Sequence, residues 1–410
     1  MLVADTRIDR RVLLSARSLQ EAGWAVTVIG MPYPDRTDLD RLMFPEITIE
    51  RIDPTAPVRL PAGCNGLIDR IDKWREVFPA YPQFLEMALL APADTYVAHD
   101  LPVLASAATA AEIMGAMLLY DAHELYPEQH LFEADYAALL SRTEQELICR
   151  ALLVTTVNAS IAAEMSRRYA IKLPEVLLNA PAAPVSGLPV QRTDLIRQRL
   201  RLGPETKILL FQGGLSVNRN LETLIRAMAQ VETAAVALVL MGPDGGLLDG
   251  LRRIATELDL LGRRVHFLEP VRQDVLLTWV ASADAGIIPY PPIDLNSRLC
   301  TPNKLFELIV AAVPILANDL PELLRFVSQN GFGENRPMDD PAAMAKAIES
   351  FLSSNLEAFR DALQRRAAEF VWEVQGRRLV ELYRALPRGD VVPAAPAPAV
   401  AAYSQGGSPR

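Results

Sequence analysis

Short apolar runs alternate with longer helical patterns along nearly the whole chain, and that alternation restricts the fold more than any other feature of the sequence. A strand covered by helices on both faces reads as an unbroken apolar run, and the crossover between two parallel strands reads with helical period. In the first half Ala25–Gly30, Thr95–Ala98, Met117–Tyr120, Leu152–Val157 and Glu175–Leu178 are such runs, with Val12–Ala22, Val103–Met114 and Ser160–Tyr169 helical between them. Met1–Asp5 reads as a first strand shorter than is usual, so either the strand is trimmed or the chain starts late. Pro181–Arg192, rich in proline and small residues, reads as a linker. Beyond it the alternation restarts. Ile208–Gln212, Val236–Met241, Val265–Leu268, Ala285–Ile288 and Pro314–Ala317 are strands; Leu221–Val231, Gly246–Asp259, Gln273–Ala281, Lys304–Val310 and Ala342–Phe351 are helices. Asn355–Leu386 reads as one or two closing helices.

At 410 residues the chain outgrows a single core, so the fold class is α/β with two doubly wound, Rossmann-like domains facing across a cleft. Residues 1–185 form the first domain and 193–365 the second, while residues 391–410 carry too little apolar bulk to fold. Leu67–Leu90 places Leu67, Ile71, Trp74 and Phe78 at helical spacing. It reads as a helix covering the first sheet, or alternatively as a surface that meets a lipid-linked acceptor or the membrane interface.

Charge and cysteine usage exclude several classes. A formal net charge of −9 argues against a nucleic-acid partner, which demands a net basic surface, yet leaves room for a basic cleft holding a diphosphate. Cys64, Cys149 and Cys300 are scattered without metal-ligand spacing and suggest free thiols in a reducing compartment, with Cys149 and Cys300 as packing residues. The histidines add no zinc-like cluster, so no metal is expected. No stretch reaches the ~20 apolar residues of a membrane helix, and no secretory signal opens the chain, so the expected location is cytoplasmic. Peripheral contact with the inner membrane face is left open.

Four segments carry candidate chemistry. In Phe211–Arg219 (FQGGLSVNR) a strand runs into Gly213 and Gly214, and a short loop then opens a helix with Arg219 at its mouth. Glycines let backbone approach an anion, the helix N-terminus points N–H groups at it, and Arg219 adds a charge. Met241–Gly246 (MGPDGG), with Gly242, is another post-strand turn; a plain turn and a ligand-facing loop read equally well. In Ser297–Glu307 a helix starts near Pro302, with Asn303, Lys304 and Glu307 in its first turns. Lys304 suits phosphate and Glu307 ribose hydroxyls, although three-residue spacing alone equally describes a surface salt bridge. In the first half Tyr120–Glu128 (YDAHELYPE) and His99–Asp100 put Asp121, His123 and Glu124 at strand ends facing the cleft. His123 can donate a hydrogen bond or stabilise charge on a sugar, or be a satisfied structural histidine.

In order, these segments resemble the glycosyltransferase family 4 group of the GT-B fold from about Asp5 to Leu386. The resemblance rests on HDLP at His99–Pro102, YDAHELYPE, VTTVNASIAAEM at Val154–Met165, LLNAP at Leu177–Pro181, FQGGLSVNRNLETLI at Phe211–Ile225, VHFLEPV at Val265–Val271 and TPNKLFELIVAAVPILANDLPEL at Thr301–Leu323. It implies a nucleotide-sugar donor, such as a UDP- or GDP-sugar, in the second domain and a carbohydrate or lipid-linked acceptor in the first. Gly213, Gly214, Arg219 and Lys304 would then serve the diphosphate, Glu307 the ribose, and His123 the donor sugar, without metal or other cofactor and with retention of anomeric configuration. Residues 366–388 would cross back to the first domain. Surface polysaccharide or glycolipid assembly is the expected setting.

Two positions depart from the family pattern. Leu299 stands where many members carry a glutamate touching the donor sugar, leaving Asp294, Asn296 or nearby backbone for that contact. Asn220 stands where a glycine commonly follows the basic residue. Arg7, Arg10 and Arg11 either face the cleft or are solvated. The departures keep a non-catalytic nucleotide-sugar binding protein as the rival reading; an epimerase needs acid–base groups in both halves, and His266 is the second half's one histidine.

Overall fold

The computed structural model describes residues 1–59, 68–233 and 235–387. Two parallel sheets account for the apolar runs. The first contains β1 (Leu2–Val3), β2 (Thr27–Gly30), β3 (Thr48–Arg51), β4 (Thr95–His99), β5 (Met117–Ala122), β6 (Leu153–Thr156) and β7 (Glu175–Val176), in the order β3-β2-β1-β4-β5-β6-β7. The second contains β8 (Lys207–Gln212), β9 (Val236–Met241), β10 (Val265–Leu268), β11 (Ala285–Ile288), β12 (Ile315–Ala317) and β13 (Gly333–Asn335), in the order β10-β9-β8-β11-β12-β13. In each sheet the order reverses beside the first strand, between β1 and β4 and between β8 and β11, and such reversals open a crevice at the strands' carboxyl ends.

The strands read from apolar runs are present, five of them (β1, β2, β6, β7 and β12) shorter than the runs. The edge strands β3 and β13 escaped that reading because Thr48–Arg51 and Gly333–Asn335 carry little apolar bulk. Ala134–Ile148 is a further helix, buried on one face by Leu140, Leu147 and Ile148. The Leu67–Leu90 pattern resolves into two helices, Ile68–Val77 and Tyr81–Leu90, interrupted at Pro79, which cannot sit inside a helix without breaking its ladder. Trp74, Tyr81, Phe84 and Leu85 are buried in the first half's core, as the sheet-covering reading expects. Leu67, Cys64 and the tail 391–410 lie outside the described residues. Among the described residues no helix is long and apolar enough to cross a membrane. Cys149 is exposed at the end of Ala134–Ile148, which corrects its reading as a packing residue, whereas Cys300 is partly buried.

The last helix, Trp372–Arg384, leaves the second half and packs on Arg10–Glu21 of the first. Trp372 and Leu379 bury against Leu14, Leu19 and Leu177, and the Trp372 indole donates to Ser18 Oγ at 2.9 Å. Gln375 Oε1 accepts the Leu178 N–H at 3.0 Å. Trp372→Ala is expected to cost about 3–5 kcal/mol, the usual loss for a buried tryptophan. Guanidinium denaturation followed by circular dichroism checks this.

Candidate active site

The carboxyl ends of the two sheets enclose a cavity of about 720 Å3. Gly213, Gly214, Arg219, Gly242, Asn303, Lys304 and Glu307 line it from one side, His123 and Glu124 from the other. Asp121 does not line it. The structure thus gathers nine of the ten residues read from the sequence.

Backbone geometry explains the glycines. Gly213 follows β8 with φ at 118°, and a Cβ there would crowd Lys304 Cε and Nζ at 3.3 Å. A Cβ on Gly242 would collide with the Gly213 carbonyl. The β8 and β9 turns therefore stack backbone on backbone, with Gly242 on the cavity wall. Asn220 has φ at 58°, the left-handed conformation that glycine accepts freely and asparagine tolerates, and its amide donates to the Met338 carbonyl at 3.0 Å.

Two cations meet below these turns. Lys304 is buried; its ammonium donates to the Tyr290 hydroxyl at 2.9 Å and lies 3.5 Å from the centre of the Phe211 ring. The Arg219 guanidinium stands 4.5 Å from the Tyr290 ring centre. Among the described residues neither has a carboxylate within ion-pair distance. Burial first, and then the Arg219 charge, hold Lys304 well below the usual lysine range. Helix Asn303–Val310 begins at the cavity behind Pro302 with no side chain capping it, so its first N–H groups are open to an anion. The Lys304–Glu307 surface salt bridge is not formed. Glu307, 7% exposed, pairs across the cleft with Arg10 at 3.0 Å. Tyr290 was not singled out from the sequence, although its place just past β11, at the order reversal, marks such a position.

The first half supplies a buried charge network. Arg11, fully buried, grips Asp121 with Nε at 2.9 Å and Nη2 at 2.7 Å, and Nη1 donates to the Leu177 carbonyl at 2.6 Å. Thr155 Oγ1 also donates to Asp121 at 2.6 Å. Burial alone would raise Asp121; Arg11 outweighs it and keeps the carboxylate well below its usual range. Asp121 Oδ2 lies 3.2 Å from His123 Nε2, and Asp100 Oδ2 lies 3.6 Å from His123 Nδ1. Burial opposes the imidazolium, but Asp100 and then Asp121 win, raising His123 to about 9. Burial likewise lifts Asp100, to about 8, whereas Asp121 stays ionised beside His123 well below that. Both His123 ring nitrogens face carboxylates; what it lends the cleft here is positive charge rather than a free N–H.

His99, lowered to about 4 by burial, stays neutral beside them. His99, Asp121 and His123 do bring three ligand-type atoms together. With a buried guanidinium on both Asp121 oxygens, however, the set suits a proton better than a metal cation. Glu124 accepts from Gln129 at 2.9 Å and from Asn296 at 2.9 Å, and burial raises its pKa.

Several residues near the departures close the cleft. Asp294 caps its own helix at Ser297 and accepts from the His130 N–H at 2.9 Å; Asn218 Nδ2 reaches His130 Nε2 at 2.6 Å. Asn296 Oδ1 accepts the Leu125 N–H at 3.0 Å. Leu299 packs at the edge of the first half's core, and its carbonyl accepts from Asn158 at 2.8 Å. Cys300 lines the cavity with a thiol that burial pushes up to about 12.

Residues 8–182 match the family described as "Glycosyl transferase 4-like domain" and residues 206–354 the one described as "Glycosyl transferases group 1". Relatives include a D-inositol 3-phosphate glycosyltransferase from Corynebacterium urealyticum, 25% identical over 63% of this chain and 63% of the relative. Another from Nocardioides sp. is 28% identical over 46% of this chain and 43% of the relative. These matches span less than two thirds of either relative. Among solved structures, Anabaena Alr3699/HepE with UDP and glucose aligns over 94% of this chain and 98% of its own, at 16% identity and a TM-score of 0.71. Sucrose-phosphate synthase from Thermosynechococcus elongatus aligns over 93% and 97%, at 19% identity and a TM-score of 0.70. The shared architecture is the GT-B fold.

His123 is expected to remain charged at neutral pH and to lose its proton only near pH 9. Asp100→Asn removes a charge that raises it, so the titration moves to lower pH. Imidazole nitrogen shifts followed by NMR across pH 6–10 report the change (roughly one unit or more for a carboxylate at this range).

Proposed function

We propose that this chain, which belongs to the family 4-like glycosyltransferases of the GT-B fold, transfers a sugar from a nucleoside-diphosphate donor to an acceptor hydroxyl, retaining anomeric configuration and using no metal ion. One observation carries the reading: Arg219 and Lys304 converge on the Tyr290 ring at a glycine turn and an uncapped helix start, with no carboxylate of the described residues within ion-pair distance of either. A diphosphate satisfies both charges and the open N–H groups together. Glu307 then faces the ribose, and Pro243, Pro270 and Val271 offer an apolar wall for the base. Complexes of the Anabaena neighbour with UDP support a uridine donor as the first to test.

Departure of the nucleoside diphosphate leaves negative charge on its terminal phosphate. Arg219, Lys304 and the helix dipole are already aimed there, which is the office a divalent ion serves elsewhere. The anomeric C–O bond to phosphate breaks, the acceptor oxygen bonds to the same face, and its proton passes to the departing phosphate oxygen. His123 and Asp121 set the charge beside the donor sugar from the acceptor side. The acceptor is a carbohydrate, a polyol or a lipid-linked sugar, in keeping with surface polysaccharide or glycolipid assembly in the cytoplasm. The rival reading, nucleotide-sugar binding without transfer, draws on Leu299, an apolar side chain packed toward the first half's core. Donor binding with neither transfer nor slow hydrolysis across a panel of acceptors would favour it.

A thermal-shift screen against UDP, GDP, ADP, CMP and their sugars comes first, because a ligand of the native state alone raises apparent stability. Arg219→Ala and Lys304→Ala should each weaken donor binding by about 1–3 kcal/mol. Calorimetry showing unchanged affinity in both variants removes their assignment. Because burial and Arg219 hold Lys304 low in the free protein, the arriving diphosphate raises it and binding takes up protons. Binding enthalpies measured over a range of pH in buffers of different ionisation heat should show that uptake, and Lys304→Met should abolish it.

A further inference from the structure

Glu307 belongs to the nucleotide half, yet its only side-chain hydrogen bond among the described residues comes from the other half. Arg10 Nη1 donates to Glu307 Oε1 at 3.0 Å, and the remaining guanidinium nitrogens, Nε and Nη2, are buried and make no hydrogen bond among the described residues. Both side chains are largely withdrawn from solvent, at 14% and 9% exposure. Arg10 itself is absent from the cavity wall, while Glu307 is part of it.

The base of Arg10 is held firmly. It occupies the first turn of Arg10–Glu21, where the Asp9 carboxylate caps the helix and the neighbouring Arg11 is clamped to Asp121 and the Leu177 carbonyl. A guanidinium carried on a helix held this way stays with the first half if the halves separate. The pair therefore exists only with the cleft shut, and a carboxylate oriented by one buried charged partner loses that orientation when it opens.

Resting on the reading that Glu307 faces the donor ribose, we infer that Arg10 is a positioning residue: it makes ribose recognition a joint property of both halves by orienting Glu307 only in the closed cleft. Arg10 does not touch the nucleotide. It keeps Oε1 engaged and leaves Oε2 to accept from ribose hydroxyls. Recognition of the nucleotide thus depends on a residue of the acceptor-side half, so the donor is held tightly only when the acceptor side is in place over it.

The test compares UDP with 2′,3′-dideoxy-UDP, and GDP with 2′,3′-dideoxy-GDP, by calorimetry on the full chain. The wild-type protein should prefer one ribo form by about tenfold, the worth of one charge-assisted hydrogen bond. Arg10→Ala and Glu307→Gln should each reduce that preference severalfold, and the double variant should reduce it no further than Glu307→Gln does. Arg10→Gln, which keeps the side chain's length without its charge, carries the same expectation and decides the matter should Arg10→Ala fold poorly. A preference that survives both Arg10 variants but collapses in Glu307→Gln overturns the role of Arg10 while leaving the ribose reading intact. A wild-type protein that binds neither diphosphate, or does not distinguish ribo from dideoxy forms, overturns the ribose reading and the inference with it.

Discussion

The buried ion pair between Arg11 and Asp121 is the interaction on which the first half's site depends. A guanidinium and a carboxylate without solvent are costly unless geometry is good and their remaining hydrogen-bonding groups are satisfied. Here two guanidinium nitrogens meet two carboxylate oxygens, a third donates to the Leu177 carbonyl, and Thr155 completes the carboxylate. The pair ties helix Arg10–Glu21 to β5 and to the chain just after β7. That same helix is the surface on which Trp372–Arg384 packs. Asp121 then fixes negative charge beside His123, so one buried pair supports the fold, the interdomain crossing and the protonation of a cleft residue.

The second half solves the opposite electrostatic problem. Its cleft gathers positive charge with no carboxylate of the described residues within ion-pair distance, and burial, then the Arg219 charge, depress the lysine. Tyr290 makes this arrangement tolerable: its hydroxyl accepts from Lys304 and its ring face attracts Arg219. A preorganised cationic pocket of this kind is an investment in anion binding, since the groups need not move when the ligand arrives.

Contacts across the cleft then connect the two problems. Arg10–Glu307, Asn296–Glu124 and His130–Asp294 each join a residue of one half to a residue of the other. Asp294 and Asn296, expected to read the donor sugar, are engaged in this closure. Leu299 stands where the family resemblance implies a carboxylate. It adds apolar contact to the first half's core and lends only its backbone carbonyl to Asn158.

Sequence periodicity determined the two doubly wound halves, because strands buried on both faces must be apolar throughout and cannot hide that signal. It also made the second half's cavity wall legible, since Gly213, Gly214 and Arg219 are close in sequence and Lys304 opens a helix. Edge strands β3 and β13 left no comparable signal, being short and half polar. What only the tertiary structure decided was partnership over long sequence distance. Whether Arg10 and Arg11 faced the cleft or were solvated turned on partners 297 and 110 positions away, which draw both inside, and Asp121 moved from the cleft wall to the support behind His123. Glu307 found a partner in the other half rather than in Lys304. Charged residues pair with whatever the fold brings within about 3–4 Å, and in a two-domain protein that is set by how the halves close, which no local pattern encodes.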